Sequence, residues 1–79
     1  MSENEMTLRA AFCEVLSLPE DQITDETSYG TTKWDSIAHM ALVAAIDSSF
    51  NLTMDTDDLL AMSSYGKAKE ILRKYGIQI

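Results

Sequence analysis

The residues best placed for chemistry are Asp35 and Ser36, in the run Trp34-Asp35-Ser36-Ile37, where a helical apolar pattern begins after a long polar stretch. A serine at a helix start has two uses. It can cap, its oxygen accepting a hydrogen bond from a first-turn N–H. It can also carry an attached phosphate, because unpaired N–H groups and the positive end of the helix dipole favour an anion there. Spacing alone favours the cap, since Asp and Ser are among the commonest capping residues. His39, the only histidine, stands one turn after Ser36 on the apolar stripe. That position suits a hydrogen-bonded histidine at the edge of a core better than a general base. A hydrolase built on Ser36 therefore lacks both a base and a legible oxyanion hole.

Other reactive groups carry less. Cys13 is alone and lies inside a helical pattern, so it reads as a buried, inert thiol. Asp55, Asp57 and Asp58 suggest calcium, but an EF-hand loop counted from Asp55 needs Gly sixth and Glu twelfth, and Leu60 and Gly66 stand there. Asp21, Asp25, Asp35 and Asp47 could bind a divalent ion only weakly and without specificity. There is no zinc ligand set, phosphate-cradling glycine loop or catalytic triad in the pattern, so neither a metal site nor an enzyme is expected.

The elements that must position these residues are helical. Leu8, Ala11, Phe12 and Val15 follow one helical face, ending near Ser17 because Pro19 disfavours helix at Leu18. His39, Leu42, Val43, Ile46 and Phe50 define a second face, and Tyr65, Ala68, Leu72 and Tyr75, with Ile71 beside them, a third. Ser63 or Ser64 can cap the third helix and Gly76 can end it. Thr56 or Asp55 can start a short additional helix over DTDDLLAM, residues 55–62. No run alternates as a strand would. The fold class predicted is all-α: three main helices plus one short helix, with a long first loop, in a single domain over residues 1–79. The loop over residues 17–35 carries Leu18, Ile23, Tyr29 and Trp34, enough apolar anchors to wrap it against the bundle.

The second helix has two apolar sides. With Ser36 at zero on a wheel of about 100° per residue, Leu42, Ile46, His39, Phe50 and Val43 fall between about 240° and 340°. Ile37, Met40, Ala41 and Ala44 fall on another arc, from about 20° to 140°, where only Asp47 is charged. Either the helix is covered on both sides, or the second arc is a docking surface beside Ser36.

Composition bounds the class. The chain has 79 residues and a net charge of −7. Twelve of thirteen acids lie in residues 1–58, with only Arg9 and Lys33 against them, whereas residues 59–79 hold Lys67, Lys69, Arg73 and Lys74 against Glu70. Such an acidic body repels nucleic acid and anionic lipid; it either attracts basic protein surfaces or simply keeps a small protein soluble, and charge alone does not separate the two. No apolar run is long enough to span a membrane, and the N-terminus does not read as a secretory signal. The unpaired cysteine fits a reducing compartment, so a cytoplasmic monomer is expected.

The chain resembles the acyl carrier proteins over nearly its whole length. The resemblance is carried by Val15 and Leu16, the run Pro19-Glu20-Asp21-Gln22-Ile23-Thr24, then Thr27-Ser28-Tyr29, and Trp34-Asp35-Ser36-Ile37. Leu42, Val43, Ile46, Phe50 and the late acids Asp57 and Asp58 complete it. It implies a carrier in which Ser36 bears 4′-phosphopantetheine, attached from coenzyme A by a phosphopantetheinyl transferase. The thiol of that arm would hold acyl groups as thioesters for acyl-loading, acyl-modifying and acyltransferase enzymes with basic or apolar docking patches. A core of few aromatics could part to admit the acyl chain.

Two departures from the family pattern are informative. Where carriers of fatty acid synthesis often read Leu-Gly-(Ala or Met), this chain has Thr32-Lys33-Trp34. Where they place glutamates on the second helix, it has Ala41, Asp47 and Ser48. A specialised lipid, polyketide or related pathway is therefore expected rather than housekeeping fatty acid synthesis. Docking should rest on Ile37, Met40, Ala41 and Ala44, with acid from Asp35, Asp47, Asp55, Asp57 and Asp58. The alternatives are an aminoacyl or peptidyl carrier and an acidic helical adaptor with no prosthetic group.

Overall fold

The computed structural model describes residues 2–31 and 33–79. Four helices appear in the predicted places: α1 (Glu3–Leu16), α2 (Ser36–Phe50), the short α3 (Thr56–Ala61) and α4 (Tyr65–Lys74). α1 starts because Ser2 Oγ accepts the Glu5 N–H at 3.1 Å and Glu3 and Glu5 place negative charge in the first turn. It stops at Ser17, whose backbone turns left-handed (φ 54°) and returns its N–H to the Cys13 carbonyl. Pro19 thus follows a helix that has already closed. α2 ends in the same way at Asn51 (φ 53°). Of the two serines that could cap α4, Ser64 does so, accepting the Lys67 N–H at 3.0 Å.

The core gathers Leu8, Phe12 and Leu16 of α1, Leu42, Val43 and Ile46 of α2, and Tyr65, Ala68, Ile71 and Leu72 of α4, with Met54 and Met62 beside them. The apolar spacings therefore identified the buried faces, although Ala38 and Leu16 are also buried and Val15 and Phe50 only partly so. An aromatic cluster lies within this core. Phe12 meets Trp34 edge-on at 5.3 Å and Tyr65 edge-on at 5.0 Å. Burial pushes the Tyr65 phenol up to about 12, with Arg9 opposing and the nearby acids adding to the shift. Arg9 and Lys69 both lie over the Tyr65 ring, at 5.2 and 5.3 Å.

The long loop is stitched down at several points among its described residues. It opens with a short 3₁₀ turn, Glu20–Gln22, held to α1 where Arg9 Nη1 donates to the carbonyls of Glu20 and Ile23. Ile23 and Trp34 are buried as anchors, Leu18 is half-buried and Tyr29 stays half-exposed. Thr27 is buried too, its hydroxyl accepting from the Thr24 N–H and donating to the Gln22 carbonyl. The loop then meets the start of α4: Tyr29 N–H donates to Ser63, Tyr65 N–H to Thr27, and Gly66 N–H to Asp25. Gly66 permits that approach, because a Cβ there would lie 3.2 Å from the Asp25 carbonyl. Lys69 Nζ fixes the same region from the side, 2.7 Å from Asp25 Oδ1 and 3.6 Å from Glu5 Oε2.

Asp58 is a correction to the expected set of docking acids. The residue is 6% exposed, and its carboxylate accepts from Lys74 Nζ and from the Tyr75 hydroxyl, the latter at 2.7 Å. Tyr75 in turn receives the Asp55 N–H at 2.8 Å, so the group ties α3 to the end of α4. The hydrogen bond from Lys74, and then that from Tyr75, hold the Asp58 carboxyl below its ordinary range. A carboxyl depressed on folding stabilises the protein above its unfolded pKa, and that stabilisation is lost as pH falls through the folded value. Asp58→Asn should therefore lower the melting temperature at about pH 7, and the gap to wild type should narrow below about pH 4. Thermal melts by circular dichroism across that range check it; a gap that persisted unchanged into acid would place its origin outside the carboxylate charge.

Candidate functional site

The first turn of α2 divides two tasks between two adjacent residues. Asp35 is the N-cap, with extended backbone (φ −109°, ψ −172°). Its Oδ1 accepts the Ala38 N–H at 2.9 Å, and its carbonyl accepts the His39 N–H at 2.8 Å. Ser36 is consequently the first helical residue rather than the cap. It is exposed, and its Oγ makes no hydrogen bond among the described residues. The Ser36 and Ile37 N–H groups likewise have no partner among the described residues. A free hydroxyl beside two free amides at the positive end of a 15-residue helix is chemically suited to carry a phosphodiester.

Beside Ser36 the second arc of α2 is uncovered. Ile37 is 82% and Met40 54% exposed, and Ala41 and Ala44 also face solvent. Coverage of α2 on both sides is thereby excluded for this chain. Asp47 is half-buried, and its Oδ1 accepts the Met54 N–H at 3.2 Å, so it serves the turn after α2 as well as the surface. On α3, Asp55 and Asp57 are exposed, and Leu60 is 74% exposed. Sequence reasoning passed over Leu60. The adjacent pair Leu59-Leu60 on so short a helix was the available signal, since a helix of about one and a half turns has little core face to cover both.

His39 sits at the core edge, as its place on the stripe implies. Trp34 Nε1–H donates to His39 Nδ1 at 3.0 Å, and His39 Nε2 lies 2.8 Å from the Leu59 carbonyl. An indole nitrogen only donates and a carbonyl only accepts. The ring is therefore neutral with its proton on Nε2, donating to Leu59. The indole stacks on the imidazole at 5.9 Å and 19°, and Tyr29 meets both rings edge-on. Trp34 thus anchors the loop and orients His39, and neither is free for acid–base work.

The remaining candidates fall away from this site. Cys13 is half-buried on α1, where burial pushes its thiol up, the Glu20 carboxylate adds to that and Arg9 opposes it. No group of three or more His, Cys, Asp or Glu among the described residues is placed to hold a metal ion. The Asp25 carboxylate is engaged by Lys69, and Asp35 by Ala38. Among the described residues no helix is long and apolar enough to cross a membrane. Thr32, part of the departure from the fatty acid carriers, lies outside the described residues.

The family model described as "Phosphopantetheine attachment site" matches residues 7–72, and the chain belongs to that family. Its members are carriers rather than catalysts, bear 4′-phosphopantetheine covalently on a serine, and meet a phosphopantetheinyl transferase and the enzymes they serve. A search of curated proteins finds no match to this chain.

The division of labour at α2 has a measurable consequence. Asp35→Ala should cost about 1 kcal/mol of folding free energy by removing the cap, whereas Ser36→Ala should change it by less than about 0.5 kcal/mol. Urea denaturation of the two variants tests this; the reverse ranking would make Ser36 the cap.

Proposed function

We propose that the chain is an acyl carrier protein in which Ser36 is the phosphopantetheine attachment residue. The observation that carries this reading is that Asp35 takes the capping duty and leaves the Ser36 hydroxyl exposed with no structural partner among the described residues. In the transferase complex Ser36 Oγ attacks the pyrophosphate of coenzyme A. An O–P bond forms at Ser36, the bond to the departing adenosine 3′,5′-bisphosphate breaks, and the serine proton passes to a base of the transferase. The phosphopantetheine supplies a thiol that holds cargo as a thioester. The chain's own residues keep the attachment point rigid: Asp35 stays on Ala38, and the N–H groups of Ser36 and Ile37 face the new negative charge.

Docking is assigned to Ile37, Met40, Ala41 and Ala44, joined by Leu60, with acid from Asp35, Asp47, Asp55 and Asp57. Asp58 contributes to α3 placement instead. A face so poor in charge suits a partner whose patch is mainly apolar, with basic groups at its rim. Together with Trp34 ahead of Asp35, this supports a specialised acyl pathway over housekeeping fatty acid synthesis. The unpaired Cys13 fits a reducing, cytoplasmic setting.

Incubation of the apo protein with coenzyme A and a broad phosphopantetheinyl transferase, followed by intact mass measurement, should show one added phosphopantetheine on wild type and none on Ser36→Ala. An unmodified wild type alongside a competent control carrier would favour a non-covalent adaptor, and modification of the Ser36→Ala variant would move the site. Met40→Glu should slow transfer to cognate enzymes while leaving the helical circular dichroism signal intact. Undiminished transfer would take this arc out of the docking surface.

A further inference from the structure

The aromatic cluster beside Ser36 bears on where the cargo goes. Trp34 lies two residues before Ser36 and His39 three after it, so both flank the attachment point. The Trp34 side chain is 1% exposed, wedged between Phe12 and His39. His39 carries the connection across to α3 through the Leu59 carbonyl. Leu42, Ile46, Met54 and Met62 are buried in the same core cluster as Trp34. A chain passing from Ser36 into the core between α2 and α3 would have to part the His39–Leu59 hydrogen bond and displace the indole. That would leave an imidazole N–H and a carbonyl without partners at a part-buried position, which opposes entry. Three surface grooves lie elsewhere: on α1 near Met6 and Cys13, between α1 and α2 near Thr7 and Ser49, and between α3 and α4 near Lys67. None of the three is lined by Ser36, Trp34 or His39.

We propose that Trp34 and His39, locked to the Leu59 carbonyl, seal the passage between α2 and α3 so that cargo attached at Ser36 stays outside the bundle. This rests on the carrier reading and extends it to specificity. The expectation that a core of few aromatics could open to an acyl chain meets an obstacle, because Trp34 and His39, with Tyr29 packed edge-on against both, stand next to the site. A carrier sealed in this way gives no shelter to a long saturated chain, whose methylenes would remain in water. It suits short or polar acyl groups, and it leaves the thioester within direct reach of partner enzymes.

The test loads the full chain from acetyl-coenzyme A and from octanoyl-coenzyme A with a broad transferase, each adduct verified by mass. A ligand that binds only the folded state raises the melting temperature, so a chain taken into the core would stabilise the octanoyl form. The two forms should melt together. In ¹⁵N-correlated spectra they should differ only around Ile37, Met40 and Leu60, with the Trp34 indole and the Leu42, Ile46 and Met62 amides coincident. His39→Ala, which removes the lock, should separate the two forms, the octanoyl protein melting roughly 4 °C or more above the acetyl protein. Trp34→Leu should act in the same direction if it folds, and the wild-type comparison needs neither variant. An octanoyl wild type that melts higher, with contacts from the chain to Leu42 or Met62, would overturn the seal and leave the carrier reading standing. A folded His39→Ala protein that stays indifferent to chain length would also overturn it. Failure to form any adduct at Ser36 would overturn the carrier reading, and the seal with it.

Discussion

The hydrogen bond from the Ala38 amide to the Asp35 carboxylate sets the surroundings of Ser36, the residue that follows Asp35. A helix end must satisfy its first amides, and a neighbouring hydroxyl is ordinarily recruited for that task. Here a carboxylate placed one residue earlier does it. Ser36 enters the helix as its first residue, with its oxygen outward and its backbone fixed by the turn that follows. A serine that had to cap could not be esterified without costing the helix its start. A serine in the preceding loop would lack a rigid base and the field of the helix. The proposed attachment site needs the cap and the nucleophile to be different side chains, adjacent and in this order.

The rest of the fold serves that placement. The loop over residues 17–35 is long, yet it is tied to α1 by Arg9 and to α4 by three backbone hydrogen bonds, so it delivers Asp35 to a defined point. Trp34 is its last anchor and reaches His39 on the next turn of α2. His39 reaches Leu59 on α3, and Asp58, one residue before, reaches Lys74 and Tyr75 at the end of α4. The polar contacts therefore run from the loop through α2 and α3 to α4. They hold the two helices that present Ile37, Met40 and Leu60 in fixed relation to Ser36.

Much of this was legible in the sequence, and the remainder was hidden for physical reasons. Apolar spacing of three and four residues located the three longer helices, because burial of one face is a local demand written into the chain, and capping residues located the short α3. The choice between Asp35 and Ser36 as cap was not legible. Both side chains can cap, and only the backbone angles decide which residue stands outside the helix. Asp58 looked like its neighbour Asp57, since its partners lie sixteen and seventeen residues away and no local pattern announces them. The uncovered arc of α2 could have been a second buried face, because periodicity shows that a face is apolar and leaves open what lies against it. His39 was placed correctly at the core edge, but the indole and carbonyl that fix its proton come from separate segments.

The most direct test of the central claim is a ³¹P-filtered NMR experiment on the transferase-treated protein. The account predicts one phosphodiester phosphorus coupled to the β protons of Ser36, with the Ala38 amide still shifted and protected as a capped helix requires. Phosphorus coupled to any other residue, or an Ala38 amide released when Ser36 is loaded, would contradict it.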